Sequence, residues 1–171
     1  MGYSRAGFEV TGVDNRPQPR YPFDFIQGDA LKICREIGRE FDAIHASPPC
    51  QAYTPCSNVQ RMKGVRYPDL VAQTREALVE TGTLWVIENV TQAPLRAGSI
   101  YLCGLMFGLP LLRHRRFESN LMLLGPAHIR HRRGAGIRGE IFTVVGFPGS
   151  RTNKHRKNST SYPMARKAEA K

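Results

Sequence analysis

The chain lacks any run of about 18 apolar residues, which excludes a helix that crosses a membrane. Met1-Gly2-Tyr3-Ser4-Arg5 has no apolar signal core, and Ala6 stands where a myristoylation signal needs Ser or Thr. Cysteine is sparse: Cys34, Cys50, Cys56 and Cys103 follow no regular spacing, so no disulfide scaffold is expected. A glycine-rich loop of the kind that cradles phosphates is missing too, which leaves no case for ATP or NAD. Acidic residues are outnumbered, 14 against 25 Lys and Arg, for a net charge of +11. These absences leave a protein of the cytoplasm, without a membrane partner, whose charge favours a polyanion.

What is there fits one domain: 171 residues, 41% of them hydrophobic, can build one core but not two. The positive charge is concentrated late. Arg113-His114-Arg115-Arg116 is followed by Arg130-His131-Arg132-Arg133, by Arg138, and by Arg151, Lys154, Arg156 and Lys157. Three clusters in one third of the chain suit phosphate contact better than an evenly solvated surface. Composition does not separate DNA from RNA.

The pattern alternates strands with helices, which predicts an α/β domain. Residues 3–7 end a helix at Gly7, and 8–14 form a strand closing on Asp14. Three prolines make 15–22 a loop. A strand over 23–27, the turn Gly28-Asp29-Ala30 and a helix over 31–39 follow, with Leu31, Cys34 and Ile37 on one face. Residues 41–46 read as a buried strand and 52–67 as a surface loop. A helix runs from Pro68-Asp69 to Thr81, with Leu70, Val71, Thr74, Leu78 and Thr81 inward and Gly82 as its stop. Residues 84–87 form another buried strand. Later strands are expected over 100–103, 117–124 and 141–145, with a short helix to Gly108 between the first two. Ligand sites in such sheets lie at the carboxyl ends of the strands.

Chemistry-bearing residues cluster at those ends. Ser47-Pro48-Pro49-Cys50-Gln51 follows a strand, and its two prolines fix a rigid loop that holds Cys50 out of the core. A nucleophilic thiol needs that accessibility, whereas Cys34 and Cys103 sit in apolar segments and read as inert. Cys50 and Cys56 are too far apart for a C-x-x-C pair, and no metal is expected there. Glu88, in Ile87-Glu88-Asn89-Val90, can protonate or hydrogen-bond a ring nitrogen. Asp14 and Asp29, each after a strand, suit an adenosine-containing cofactor, the first as acceptor for a ribose diol.

In combination these segments resemble the cytosine-C5 DNA methyltransferases, in particular short bacterial or phage-borne forms of restriction-modification systems. The resemblance is carried by Ala6-Gly7-Phe8 with Gly12-Val13-Asp14, Gly28-Asp29-Ala30, Pro48-Pro49-Cys50-Gln51 and Glu88-Asn89-Val90. Gly108-Leu109-Pro110 with Arg113-His114-Arg115-Arg116-Phe117 completes it. The motifs keep the family's order and cover roughly residues 3–120. The resemblance implies a Rossmann-like methyltransferase fold over residues 1–150, with 151–171 as a basic tail whose composition permits disorder. It implies S-adenosyl-L-methionine as cofactor, held by Asp14, Asp29, Ala30 and Pro48. Cys50 would add to C6 of cytosine, Glu88 would engage N3 and the exocyclic amine, and Asn89 would brace the loop. Arg113 and Arg115 would hold the base and the Glu88 carboxylate. The substrate would be duplex DNA with a flipped cytosine, contacted by Gln51, Arg116, Arg132, Arg133 and Arg156, and the enzyme a monomer.

The chain departs from the family at both ends. The family opens with a central strand and a glycine-rich cofactor segment that would precede residue 3, and their absence predicts a sheet with an unsatisfied centre. Leu111 replaces a glutamine before the arginine motif, and the 53 residues after Glu118 leave no room for a large target-recognition domain. A truncated form is therefore expected at the amino end and at the carboxyl end. Methylation of cytosine in RNA by the same chemistry, and an inactive nucleic-acid-binding remnant, are the competing readings. An amine-directed DNA methyltransferase fits less well, because Cys50 stands where that class carries an aromatic after Pro-Pro.

Overall fold

The computed structural model describes residues 2–109, 111–128 and 162–167. A one-turn helix α1 (Gly2–Arg5) ends at Gly7, whose φ of 89° only glycine adopts freely. It leads into β1 (Phe8–Asp14), whose second half is buried. After the proline-rich loop come β2 (Asp24–Gln27), α2 (Ala30–Ile37) and a 3-10 turn over Gly38–Glu40. β3 (Ala43–Ala46) alternates, with Ile44 and Ala46 buried and Ala43 and His45 on the other face. A short helix α3 (Asn58–Met62) precedes α4 (Val71–Thr81), which Gly82 closes in the left-handed conformation at φ 69°. β4 (Leu84–Asn89), β5 (Ile100–Leu102), a 3-10 turn over Gly104–Phe107, β6 (Arg115–Ser119) and β7 (Tyr162–Lys167) complete the described elements. The result is a small mixed α/β domain with parallel and antiparallel strands. No helix among the described residues is long and apolar enough to cross a membrane.

The seven strands form one sheet in the order β2-β1-β7-β3-β4-β6-β5. β1 pairs with β2 and β3 with β4 in parallel, while β7 runs antiparallel to both β1 and β3. Two strands antiparallel to the same neighbour are parallel to each other. The carboxyl ends of β1, β2, β3 and β4 therefore share one edge of the sheet. β6 is antiparallel to β4 and to β5, so it begins at that edge and β5 ends there.

One face of the sheet carries the core. Val13, Ile44, Ala46, Trp85 and Ile87 pack with Cys34, Val71, Ala77 and Leu78 of α2 and α4, and the two helices contact each other. On the opposite face Tyr3 of α1 meets the edges of Phe8 and His45, and His45 in turn meets Phe117.

Three features differ from the sequence expectation. Residues 58–62 are helical rather than looped, because Arg61 reaches back to the carbonyls of Gln51, Ala52 and Thr54. β6 begins at Arg115 and stops at Ser119 rather than running to Leu124. Asn120 ends it by accepting from the Trp85 N–H at 3.0 Å and donating to the Thr83 carbonyl at 2.9 Å, which replaces the next ladder bonds. Part of the basic tail joins the centre of the sheet as β7, despite Pro163, which offers no ladder donor. The strand expected over 141–145 lies outside the described residues.

A buried ion pair ties α4 to β6. Glu118 is 3% exposed, and its carboxylate accepts from Arg75 Nε at 2.5 Å, Arg75 Nη2 at 2.8 Å and the Arg96 N–H at 2.9 Å. Burial by itself would raise the Glu118 pKa, but the Arg75 bond, the Arg96 N–H and both positive charges outweigh it and hold the carboxyl below its ordinary value.

Glu118→Ala should strand the Arg75 guanidinium and lower unfolding stability by about 3 kcal/mol in urea titrations at pH 7. The folded pKa is depressed, so the stabilisation is present above about pH 4.3, the unfolded value, and is lost as pH falls through the folded one. Acid titration of the variant should lack that component. In β7, Ala165 faces Val10 and Ala43 at once. Ala165→Pro should cost about 3 kcal/mol or unfold the domain, read by circular dichroism.

Candidate active site

The shared edge of the sheet gathers Asp14, Asp29, Cys50, Glu88 and Arg115. Register fixes the central part: Ala46 faces Ile87, so the segment leaving β3 and the end of β4 emerge side by side. The Cys50 loop is held at both ends. Buried Asn89, 2% exposed, donates from Nδ2 to the Pro48 carbonyl at 2.9 Å, and its Oδ1 accepts the Val90 N–H at 2.8 Å. Beyond the cysteine, the Cys50 carbonyl accepts from Tyr53 N–H at 3.0 Å and Thr54 N–H at 2.9 Å, and Arg61 Nη1 donates to the Gln51 carbonyl at 2.8 Å.

Cys50 is half-exposed, and its thiol takes no hydrogen bond among the described residues. Cys34 is the opposite case: burial pushes its thiol up to about 11, which leaves it protonated and unreactive. A thiol presented by a loop braced at both ends can attack an electrophile without first reordering the chain.

Glu88, at the penultimate position of β4, faces Phe117 of β6. Its Oε1 pairs with Arg115 Nε at 2.6 Å, both side chains being mostly buried. Arg115 is itself steadied by a bond from Nη1 to the His114 carbonyl at 2.8 Å. The pair fixes the direction of the carboxylate and leaves Oε2 without a protein donor among the described residues. An acceptor aimed in this way can take a bond from an amine or a protonated ring nitrogen.

Sequence reasoning missed His45. It lies one turn of the strand before the Cys50 loop, on the face opposite the core. Its Nδ1 is hydrogen-bonded with the Tyr3 hydroxyl at 2.5 Å and its Nε2 with Ser47 Oγ at 3.1 Å. Burial lowers the His45 pKa, and the nearby Glu88 carboxylate opposes the shift. Burial also raises the Tyr3 pKa, in keeping with a hydroxyl that retains its proton. The available signal was the lone polar residue in an otherwise apolar strand running into Ser47.

The remaining expected residues divide. Asp14 ends β1 at 4% exposure, with Oδ1 accepting the Arg16 N–H at 2.9 Å and Oδ2 the Gln18 amide at 3.2 Å. Asp29 is exposed and caps α2, accepting from Leu31 and Lys32 N–H with one oxygen, and Ala30 is the first residue of that helix. Pro48 is buried against Asn89, and Gln51 is exposed beside the cysteine. Arg113 is exposed at the same edge. Arg116, expected at nucleic acid, turns inward: it bonds Ser99 Oγ and the carbonyls of Ala93, Leu95 and Arg96, and so holds the 93–99 loop. Arg132, Arg133 and Arg156 lie outside the described residues.

Asn89→Ala should leave the Pro48 carbonyl and Val90 N–H unpaired and cost about 1–3 kcal/mol in chemical denaturation. The depressed His45 pKa stabilises the fold above about pH 6.5, and that contribution is lost as pH falls through the lower folded value. The loss of stability between pH 7 and pH 5 should shrink in His45→Gln, measured by thermal melts.

No protein-family model matches the chain, and no curated protein matches it; the arrangement of residues at the sheet edge carries the functional reading.

Proposed function

We propose that the chain is the catalytic part of a cytosine-C5 methyltransferase that acts on DNA, with a Rossmann-like methyltransferase fold. The observation that carries this reading is the convergence of a half-exposed thiol, Cys50, and an arginine-fixed carboxylate, Glu88, on one sheet edge, tied together by the Asn89–Pro48 bond. The motif order described above points the same way. So does the sheet, in which two parallel pairs flank a central strand, although that strand is antiparallel here.

The residues for S-adenosyl-L-methionine fit its adenosine part. Asp29 has one carboxylate oxygen uncommitted among the described residues, and Asp14 can accept a ribose hydroxyl once Gln18 yields its bond. When bound, the cofactor supplies an electrophilic methyl group. The protein must make C5 of cytosine nucleophilic. The Cys50 thiolate adds to C6 and pushes the electron pair of the C5–C6 bond toward C5, while N3 takes up a proton. Glu88 stabilises that adduct by accepting from N3–H and from the exocyclic amine, and Arg115 keeps its carboxylate aimed. After C5 has gained the methyl group, solvent water takes the C5 proton, the electron pair of that bond re-forms C5=C6 and expels Cys50 as thiolate, and N3 gives back to solvent the proton it took up. The base must leave the duplex stack to reach Cys50, and the positive charge of the chain suits the phosphates that flank it.

Duplex DNA carrying 5-fluorocytosine tests the reading. Fluorine cannot leave C5 as a cation, so the adduct should persist and run as a denaturant-resistant complex, dependent on S-adenosyl-L-methionine. Cys50→Ala should abolish the adduct and methyl incorporation while changing cofactor binding by no more than a few fold. Incorporation into transfer RNA with none into DNA would transfer the proposal to RNA. Cofactor-independent DNA binding without transfer would reject the enzyme.

A further inference from the structure

A second cluster of reactive side chains lies at the same edge of the sheet, beyond Arg115. The Sγ of Cys103 and ring nitrogens of His114 and His128 are all within 4.8 Å of one another. Pairing of β5 with β6 accounts for two of them. Leu102 faces Arg115, so the residues flanking that pair, Cys103 and His114, emerge side by side. Gly104 allows the close approach, because a Cβ there would lie 2.5 Å from the Leu111 carbonyl oxygen. The segment after β6 returns His128 to the same point, with Nε2 3.1 Å from Nε2 of His114. The Tyr101 ring packs against both imidazoles, at centroid distances of 5.1 and 5.4 Å.

We propose that Cys103, His114 and His128 bind a zinc ion, with water as the fourth ligand. The donor set, one thiolate and two imidazoles, suits zinc and excludes magnesium and calcium, which take oxygen ligands. Tetrahedral zinc, with bonds of about 2.0–2.1 Å to nitrogen and about 2.3 Å to sulfur, requires N···N near ~3.3 Å and N···S near ~3.6 Å. The two nitrogens already have that spacing, and exposed His128 has room to adjust toward the sulfur. The Cys103 thiol, 2% exposed, donates to the Leu111 carbonyl at 3.8 Å and its sulfur accepts from the Met106 backbone N–H. Binding would release its proton to solvent. Arg115, next to His114, is paired with the Glu88 carboxylate, which offsets its repulsion of a cation.

The ion would staple the β5–β6 edge to the segment leaving β6. It would also fix His114, whose carbonyl receives the bond from Arg115. The site is independent of the proposed methyl transfer.

Titration of the chelator-treated full chain with cobalt, then zinc, tests the proposal. One cobalt per chain should bind with a thiolate-to-metal charge-transfer band and the intense visible absorption of a tetrahedral ion, and zinc should displace it. Cys103→Ser should remove the charge-transfer band, while Cys50→Ser should leave it intact. His114→Ala and His128→Ala should each weaken binding by about tenfold or more. His128 is exposed, so its variant keeps the test valid if Cys103→Ser fails to fold. The proposal is overturned by the absence of a thiolate band in the folded wild-type chain, by a band that follows Cys50 instead of Cys103, or by affinity unchanged in His128→Ala.

Discussion

The direction of β7 governs the molecule. Lying antiparallel between β1 and β3, it makes those strands parallel to each other and brings the carboxyl ends of both parallel pairs to one edge. A strand end in a sheet is where backbone ladder bonds run out, so that edge is where polar side chains find uncommitted backbone groups and one another as partners. Asp14, Asp29, the Cys50 loop and Glu88 all depend on it. The strand itself is an awkward occupant, since Pro163 lacks a ladder donor beside Gly12. It still supplies the central pairing that would otherwise leave the inner edges of β1 and β3 bare.

On this frame the chemistry-bearing groups are held by neighbours rather than by their own elements. Asn89 binds the loop before Cys50 and Arg61 binds the loop after it, while Arg115 sets the direction of Glu88. His45 joins the amino-terminal turn to the same region through Tyr3 and Ser47. The buried Glu118 pair anchors β6 to α4, and β6 delivers Arg115. A loss at Glu118 therefore reaches the Glu88 pair through the strand. Cys103, His114 and His128 extend the same logic to the outer edge of the sheet, where a metal ion would take over the role that burial plays inside.

The charge of the chain acts at two levels. Within the described domain several arginines are structural: Arg61 and Arg116 donate to backbone carbonyls, and Arg75 neutralises a buried carboxylate. Of these, Arg75 has its charge offset by a carboxylate, whereas bonds to neutral carbonyls leave the charges of Arg61 and Arg116 in place. Arg113 is exposed at the edge that holds Cys50 and Glu88.

The sequence by itself determined the local units, because these rest on short-range patterns. The strand at 8–14, the helix stopping at Gly82, the strand leading into Glu88-Asn89 and the rigid double-proline loop were all legible from apolar spacing, glycine and proline. The candidate residues Cys50, Glu88 and Asp14 followed from their positions after strands. Tertiary structure decided what depends on partners distant in the chain. The helix at 58–62 exists through carbonyls that Arg61 reaches, β6 stops because Asn120 replaces its ladder bonds to β4, and Arg116 turns inward toward the 93–99 loop. The tail gave no sign of entering the sheet, because its basic composition resembles solvated chain and its pairing partners lie about 150 residues earlier. His45 and the Cys103-His114-His128 group are likewise unreadable from spacing, since only sheet register brings their partners within bonding distance.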